Sequence, residues 1–167
     1  MKTLILCLAL LASVAAAQPD RQANPVAELV VLTECTANEI TLMQMQRQTV
    51  AVIRATMPDK APPQLVKLLD SYTALATDAH EQVDSYMTTI NDVVIPQIVQ
   101  AGGDADSIGQ KFMTVLYHKV VRNAVAQGDP TSSVENQTTA VRGIIDQAHE
   151  CASLAAAVRE EYKGTAK

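Results

Sequence analysis

The residues with the most reactive side chains are three cysteines, Cys7, Cys35 and Cys151. Cys7 lies in an apolar N-terminal segment that we expect to be removed, which leaves Cys35 and Cys151 as an even pair. In an oxidising compartment such a pair forms a disulfide. The bond would close a loop of 116 residues, for which the chain-entropy model gives roughly 4 to 5 kcal/mol as an upper expectation. Two free or intermolecular thiols are the alternative.

Three histidines could in principle bind a metal or a haem: His80, His118 and His149. His118 and His149 fall at similar heights on their predicted helices. His149, however, lies one position past Ala148 and therefore off the centre of its apolar stripe. There is no Glu-x-x-His motif and no Cys-x-x-Cys-His motif. The sequence predicts solvated or half-buried histidines, with no metal and no cofactor.

No pattern indicates a catalytic nucleophile. Neither a Gly-x-Ser-x-Gly elbow nor a glycine-rich phosphate loop occurs, and both cysteines are assigned to the disulfide. Asp104 and Asp106 could contact calcium, but a full calcium loop needs more oxygen ligands and a closing Glu. Helix capping is the preferred interpretation of this pair. We therefore predict that the chain is not an enzyme.

Two further stretches carry candidate sites. The tripeptide NQT places a glycosylation sequon at Asn136. The stretch LMQMQRQTV, residues 42–50, holds Met43, Met45 and Arg47. The first interpretation keeps Met43 in the core and lets Arg47 extend to the edge. The second makes the stretch a deformable wall of a ligand cavity, since methionines adapt to varied shapes; the predicted ligand contacts are then Met43, Met45, Arg47, Tyr72, Tyr86 and Phe112.

The N-terminal segment predicts secretion. Lys2 precedes an apolar run over residues 4–14 and the small residues Ala15, Ala16 and Ala17, which is typical of a signal peptide ending at residue 17. The run is shorter than the ~20 residues of a membrane span. Residues 18–167 would then form one extracellular domain. Loss of Lys2 takes the net charge from −5 to −6, which argues against nucleic-acid partners.

Composition and spacing predict an all-α fold. The chain has no Trp, one Phe and only six Gly, so its core must be aliphatic and its turns few. Breaks at residues 57–63, 101–107 and 127–133 separate four segments. The second follows a 4-3-4-3 apolar spacing from Leu65 to Val93, widened by Leu68 and Leu75. Pro96 lies inside it and predicts a kink or break near Asp92.

The other segments also read as helices. The first spans about residues 26–57 and is the least regular. The third runs from Ile108 to Ala124 and is capped by Asp104 or Asp106. The fourth continues to Tyr162 behind a capping box of Ser132 and Glu135.

Short connections predict an up-down-up-down four-helix bundle. The first and last helices are then antiparallel neighbours. Cys35 lies 10 residues from a start at Pro25, and Cys151 lies 11 residues from an end at Tyr162. At ~1.5 Å per residue the two thiols reach nearly the same height. The fold prediction is thus a bundle whose first and last helices are joined by Cys35–Cys151.

The sequence leaves two principal function classes open. An aliphatic core with many inward alanines favours a secreted binding protein that holds a lipid, a sterol or a pheromone-like molecule between its helices. The alternative is a secreted interaction module (an inhibitor, an effector or an extracellular structural component) whose partner is a protein. A third class, an amphipathic protein that opens at an oil–water surface, is less favoured because only 19% of residues are charged.

Overall fold

The computed structural model describes residues 24–128, 131 and 133–163. The predicted signal peptide, residues 1–17, lies outside the described residues. The helices, in chain order, are α1 (Pro25–Thr56), α2 (Pro63–Thr89), α3 (Ile95–Gln100), α4 (Ala105–Gly128), α5 (Val134–Cys151) and α6 (Leu154–Glu161). A π-helical turn over Ile90–Val94 joins α2 to α3 without a loop. The result is four antiparallel helical arms, α1, α2–α3, α4 and α5–α6, which confirms the predicted bundle.

Three helix starts are capped by a side chain. Asn24 caps α1, since its side-chain oxygen accepts a hydrogen bond from the Ala27 N–H at 3.1 Å, and Pro25 follows at the first helical position. Asp104 caps α4 by accepting from the Ser107 N–H at 2.9 Å, as one of the two predicted aspartates. The cap of α5 is Ser133, one residue later than predicted, because its hydroxyl accepts from the Asn136 N–H at 3.2 Å.

The π turn explains how a long helix tolerates Pro96. Proline has no N–H, so the Asp92 carbonyl loses its helical donor. One residue earlier, the Ile95 N–H reaches the carbonyl of Ile90, five residues back instead of four. The inserted residue shifts the helical register, as π bulges do. The predicted interruption near Asp92 is therefore confirmed, and it takes the form of a π turn.

The end of α3 is a Schellman motif built on two glycines. Gly102 has φ of 95°, a conformation that favours glycine. Its N–H donates to the Val99 carbonyl and that of Gly103 donates to the Ile98 carbonyl, both at 2.9 Å. These are the two hydrogen bonds that define the motif. They turn the chain sharply enough for α4 to begin at Ala105.

The fourth arm is broken, which the sequence pattern did not predict. After Cys151 the chain makes a turn at Ala152 and Ser153 before α6 begins. The apolar stripe conceals this break because Ala155 and Val158 remain buried beyond it. The predicted disulfide is confirmed at the break itself: Cys35 and Cys151 are bonded, with their Cα atoms 5.6 Å apart.

Helix α1 is the central element of the bundle and contacts every other helix. Residues 35–39 are all buried, so this part of α1 is enclosed on every side. Several of its buried side chains are nevertheless polar: Glu28, Thr33, Thr36, Asn38, Glu39 and Thr41. The hydroxyls of Thr33, Thr36 and Thr41 donate to carbonyls one turn back in α1, so their burial leaves no donor unpaired.

The main hydrophobic core occupies one end of the bundle. It combines the first half of α1 with the π turn, the start of α4 and the region of α6; its members are Leu32, Cys35, Ala37, Tyr86, Ile90, Val94, Ile98, Phe112, Leu116, Cys151, Ala155, Val158 and Tyr162. We call this the core end. The opposite end, formed by residues 41–56, 63–80, 120–128 and 134–145, is the open end. There Leu68 and Leu75, predicted to widen the buried stripe, are each about half exposed.

Candidate functional site

A large cleft lies at the open end, between the second half of α1, the end of α4 and the start of α5. Its volume is about 820 Å³, and it is open to solvent. The described residues that line it are all uncharged: Thr41, Gln44, Met45, Gln48, Thr49, Val52, Ile53, Ala124, Gln127, Val134, Gln137, Thr138 and Val141. We call it the neutral cleft.

The walls of the neutral cleft follow from helical periodicity. On α5, the lining residues Val134, Gln137, Thr138 and Val141 are spaced three, four and seven apart, which places them on one face. The apolar side chains on this face of α5, Val134 and Val141, are not part of the main hydrophobic core. Val134 on this face is 79% exposed, and Val52 on the α1 wall of the cleft is 63% exposed. Exposed apolar side chains on two walls of one cleft make it a candidate binding surface.

One polar group in the neutral cleft has no partner. The Thr49 and Thr138 hydroxyls donate to carbonyls of their own helices. The Gln127 Nε2 atom, in contrast, is buried and makes no hydrogen bond within the described chain. An unpaired buried donor costs free energy until an acceptor fills it. The Gln127 amide is therefore an unsatisfied buried donor in the wall of the neutral cleft.

Beside this cleft, a polar network holds three helices together. Asn38 on α1 donates to Gln147 Oε1 on α5 at 3.0 Å. Asn123 on α4 donates to Asn38 Oδ1, also at 3.0 Å. Lys119 on α4 forms an ion pair with Glu34 on α1. This network fixes the spacing of the helices that form the cleft.

A second cleft, of about 390 Å³, lies between α1 and α2. It is lined by Arg47, Val50, Ala51, Arg54, Thr73, Ala76, Thr77 and His80, and we call it the basic cleft. Successive residues of an α-helix are rotated by about 100°. The α1 residues that line the basic cleft therefore point about 150° away from the α1 residues that line the neutral cleft. The two clefts are thus on nearly opposite sides of α1.

The six predicted ligand contacts are not gathered at one place. Met45 lines the neutral cleft and Arg47 the basic cleft. Tyr86 and Phe112 are buried in the hydrophobic core. Met43 and Tyr72 are half-buried and line neither cleft. The sequence analysis did not identify Val52, Gln127 and Val134 as site residues. Nothing in the apolar pattern of their helices distinguishes these three side chains from their neighbours.

Two buried ionisable groups interact in the core. Burial raises the pKa of Glu39, an effect that His149 partly offsets by lowering it. Burial, with a smaller contribution from the Glu39 carboxylate, raises the pKa of Tyr86 to about 12. The Tyr86 hydroxyl is buried without a hydrogen-bond partner in the described chain. Each group is therefore held towards its neutral form.

The remaining predicted sites lie on the surface. His80, His118 and His149 are all exposed, and the described residues contain no group of three or more His, Cys, Asp or Glu side chains placed to hold a metal ion. Asn136 is exposed on the first turn of α5. By helical geometry it lies about 150° from the centre of the cleft-lining face of α5.

Among the described residues, no helix is both long and apolar enough to cross a bilayer. Comparison of the whole chain with protein-family models, with curated proteins and with solved structures gives no match to any of the three.

Proposed function

We propose that this protein is a secreted helical binding protein that carries a neutral, largely apolar small molecule in the neutral cleft. The observation that carries the proposal is the uncharged lining of a cleft of about 820 Å³ in a protein with 31 charged residues. Pockets of 300–1,000 Å³ with apolar walls and a few polar groups are typical of small-molecule sites.

The lining also restricts the ligand's chemistry. A carboxylate or ammonium group in this cleft would lose hydration without meeting an opposite charge, which is costly. A hydroxyl, ester or carbonyl oxygen would instead accept a hydrogen bond from Gln127 Nε2. Val52, Ile53 and Val141 would contact the hydrocarbon part. Sterols, long-chain alcohols and pheromone-like esters fit this description better than free fatty acids do.

Secretion is part of the same proposal. It is supported by the predicted signal peptide at residues 1–17 and by the Cys35–Cys151 disulfide, because stable disulfides form in oxidising compartments. A glycan on Asn136 would be compatible with ligand binding, since Asn136 lies on the far side of α5 from the cleft.

The test is native mass spectrometry of the mature protein with cholesterol, hexadecanol and palmitate offered separately. We expect complexes with the neutral molecules and weaker binding of palmitate than of hexadecanol, its uncharged counterpart. Val52→Asp should weaken hexadecanol binding about tenfold or more by placing a charge in the cleft. Val66→Asp is the matched control: Val66 is also exposed, on α2 and outside the neutral cleft.

The alternative is a protein partner, and the rim of the cleft gives it specific support. The exposed Val52 and Val134 side chains on the walls of the cleft would also be complementary to an apolar face of a partner helix. A protein that binds none of the three molecules, or that binds them equally in the Val52→Asp variant, would contradict small-molecule carriage and favour this alternative.

A further inference from the structure

We propose that the basic cleft is a second, independent site, which binds a small organic carboxylate. In this proposal Arg47 and Arg54 hold the carboxylate, and the carbon skeleton lies on Val50, Ala51 and Ala76. The site does not depend on the neutral cleft, since the two are on nearly opposite sides of α1.

The first argument is the state of the two arginines. Arg47 and Arg54 are seven residues apart, so they lie on the same face of α1, two turns from each other. Both line the cleft. Neither pairs with a carboxylate or donates a hydrogen bond within the described chain. Acidic residues outnumber basic ones 18 to 13, so partners for two arginines are available elsewhere, yet none is placed here.

The second argument is the floor of the cleft. Val50 and Ala76 are buried, and Ala51 lies beside them. Larger side chains at these two alanine positions would fill the space between α1 and α2. The floor is apolar, so it matches hydrocarbon better than it matches a hydrated inorganic ion.

The third argument is the opposite wall, which fixes the ligand's orientation. The Thr73 and Thr77 hydroxyls donate to carbonyls of α2, so they have no proton to give a ligand. His80 Nε2 lies 3.7 Å from the carboxylate of Asp84. Asp84 repels a second anion at that end of the cleft. A monocarboxylate is therefore favoured, with its charged group towards the arginines.

Arginine suits this role because of its geometry. The planar guanidinium presents paired N–H donors that match the two oxygens of a carboxylate. Both arginines are exposed, so water screens the interaction and we expect a modest affinity that falls with added salt. Loss of both guanidinium groups should remove most of it.

The test is an NMR titration of the folded protein with hexanoate, with hexanol as the uncharged counterpart and inorganic phosphate as a simple anion. We expect hexanoate to shift the methyl signals of Val50, Ala51 and Ala76 and to leave those of Val52 and Val134 unchanged. Hexanol and phosphate should each bind at least about tenfold more weakly, because each lacks one half of the recognised chemistry.

Variants separate a specific site from general attraction. Arg47→Gln combined with Arg54→Gln should weaken hexanoate binding about tenfold. Arg142→Gln is the matched control, since Arg142 is exposed on α5 and lines neither cleft. Equal binding of hexanol, or equal loss in the control, would overturn the proposal. Phosphate binding as tight as hexanoate binding would do the same and would indicate an adventitious ion only.

Discussion

The two ends of the bundle use the same four helical arms and differ in how they bury them. At the core end, residues 35–39 of α1 are all buried, and Leu32 and Tyr86 are fully buried. At the open end, the same helix lies between two clefts, and Leu68 and Leu75 are each about half exposed. The core end also carries the disulfide. We infer that the core end supplies most of the stability of the fold, whereas the open end carries the proposed binding surface.

Removing the disulfide tests this division most strongly. In Cys35→Ala combined with Cys151→Ala, we expect the free energy of unfolding to fall by about 4 kcal/mol, because the unfolded chain regains the entropy of a long closed loop. Urea denaturation monitored by circular dichroism measures this loss. A loss below about 1 kcal/mol would contradict the role assigned to the core end.

A pair of leucine substitutions compares the two ends directly. Leu32→Ala at the core end should cost about 3 kcal/mol, since it leaves a cavity at a fully buried position. Leu75→Ala, at a position 48% exposed in the open end, should cost less than about 1 kcal/mol. Urea midpoints of the two variants give the comparison. Equal losses would show that the open end is packed as tightly as the core end.

The boundary between the ends can be tested at Asn38. Asn38→Ala removes the hydrogen bonds to Gln147 and Asn123 and leaves their amides without this partner. We expect a loss of about 1–2 kcal/mol in the free energy of unfolding, together with weaker hexadecanol binding as the helices around the neutral cleft lose their spacing. Gln110→Ala, at an exposed amide on α4 that lines neither cleft, is the control. A variant that keeps full ligand affinity would show that the network does not position the cleft.

The smallest effect concerns pH and the buried carboxyl of Glu39. Its pKa in the folded state is raised from the ordinary value of 4.5, so the folded state holds a proton that the unfolded state has already released. This stabilisation is complete below pH 4.5 and is lost as the pH rises through the folded-state pKa. Glu39→Gln stays neutral throughout. Its free energy of unfolding should therefore exceed that of the wild type increasingly from pH 4 to pH 7, as measured by urea denaturation, and a constant difference would contradict this.

The predictable features of the fold were local or followed from chain length. Asp104 acts through its own side chain and Pro96 through its missing N–H, so their effects could be identified without knowing what surrounds them. The disulfide was predictable because short loops make the first and last helical arms antiparallel neighbours. The rise per residue then places Cys35 and Cys151 at the same height along the bundle. Each of these signals depends on covalent structure more than on packing.

The central position of α1 could not be predicted in this way. Hydrophobic periodicity identifies a buried face by its apolar side chains, whereas α1 buries Thr36, Asn38 and Glu39. Its sequence therefore looked irregular, although residues 35–39 are all buried. The predicted ligand residues failed to converge for a related reason: Met45 and Arg47 are close in sequence but face different clefts, and a cleft depends on what neighbouring helices leave unfilled.

The position of the disulfide has a consequence for proteolysis. All three connections between the helical arms, at residues 57–62, 101–104 and 129–133, lie between Cys35 and Cys151 in sequence. A single cut in any of them yields two fragments that the disulfide still joins. The nicked protein therefore keeps its full mass on a non-reducing gel and separates into two bands only after a reductant is added. Cleavage of a connection therefore does not release any helix from the molecule while the disulfide is intact.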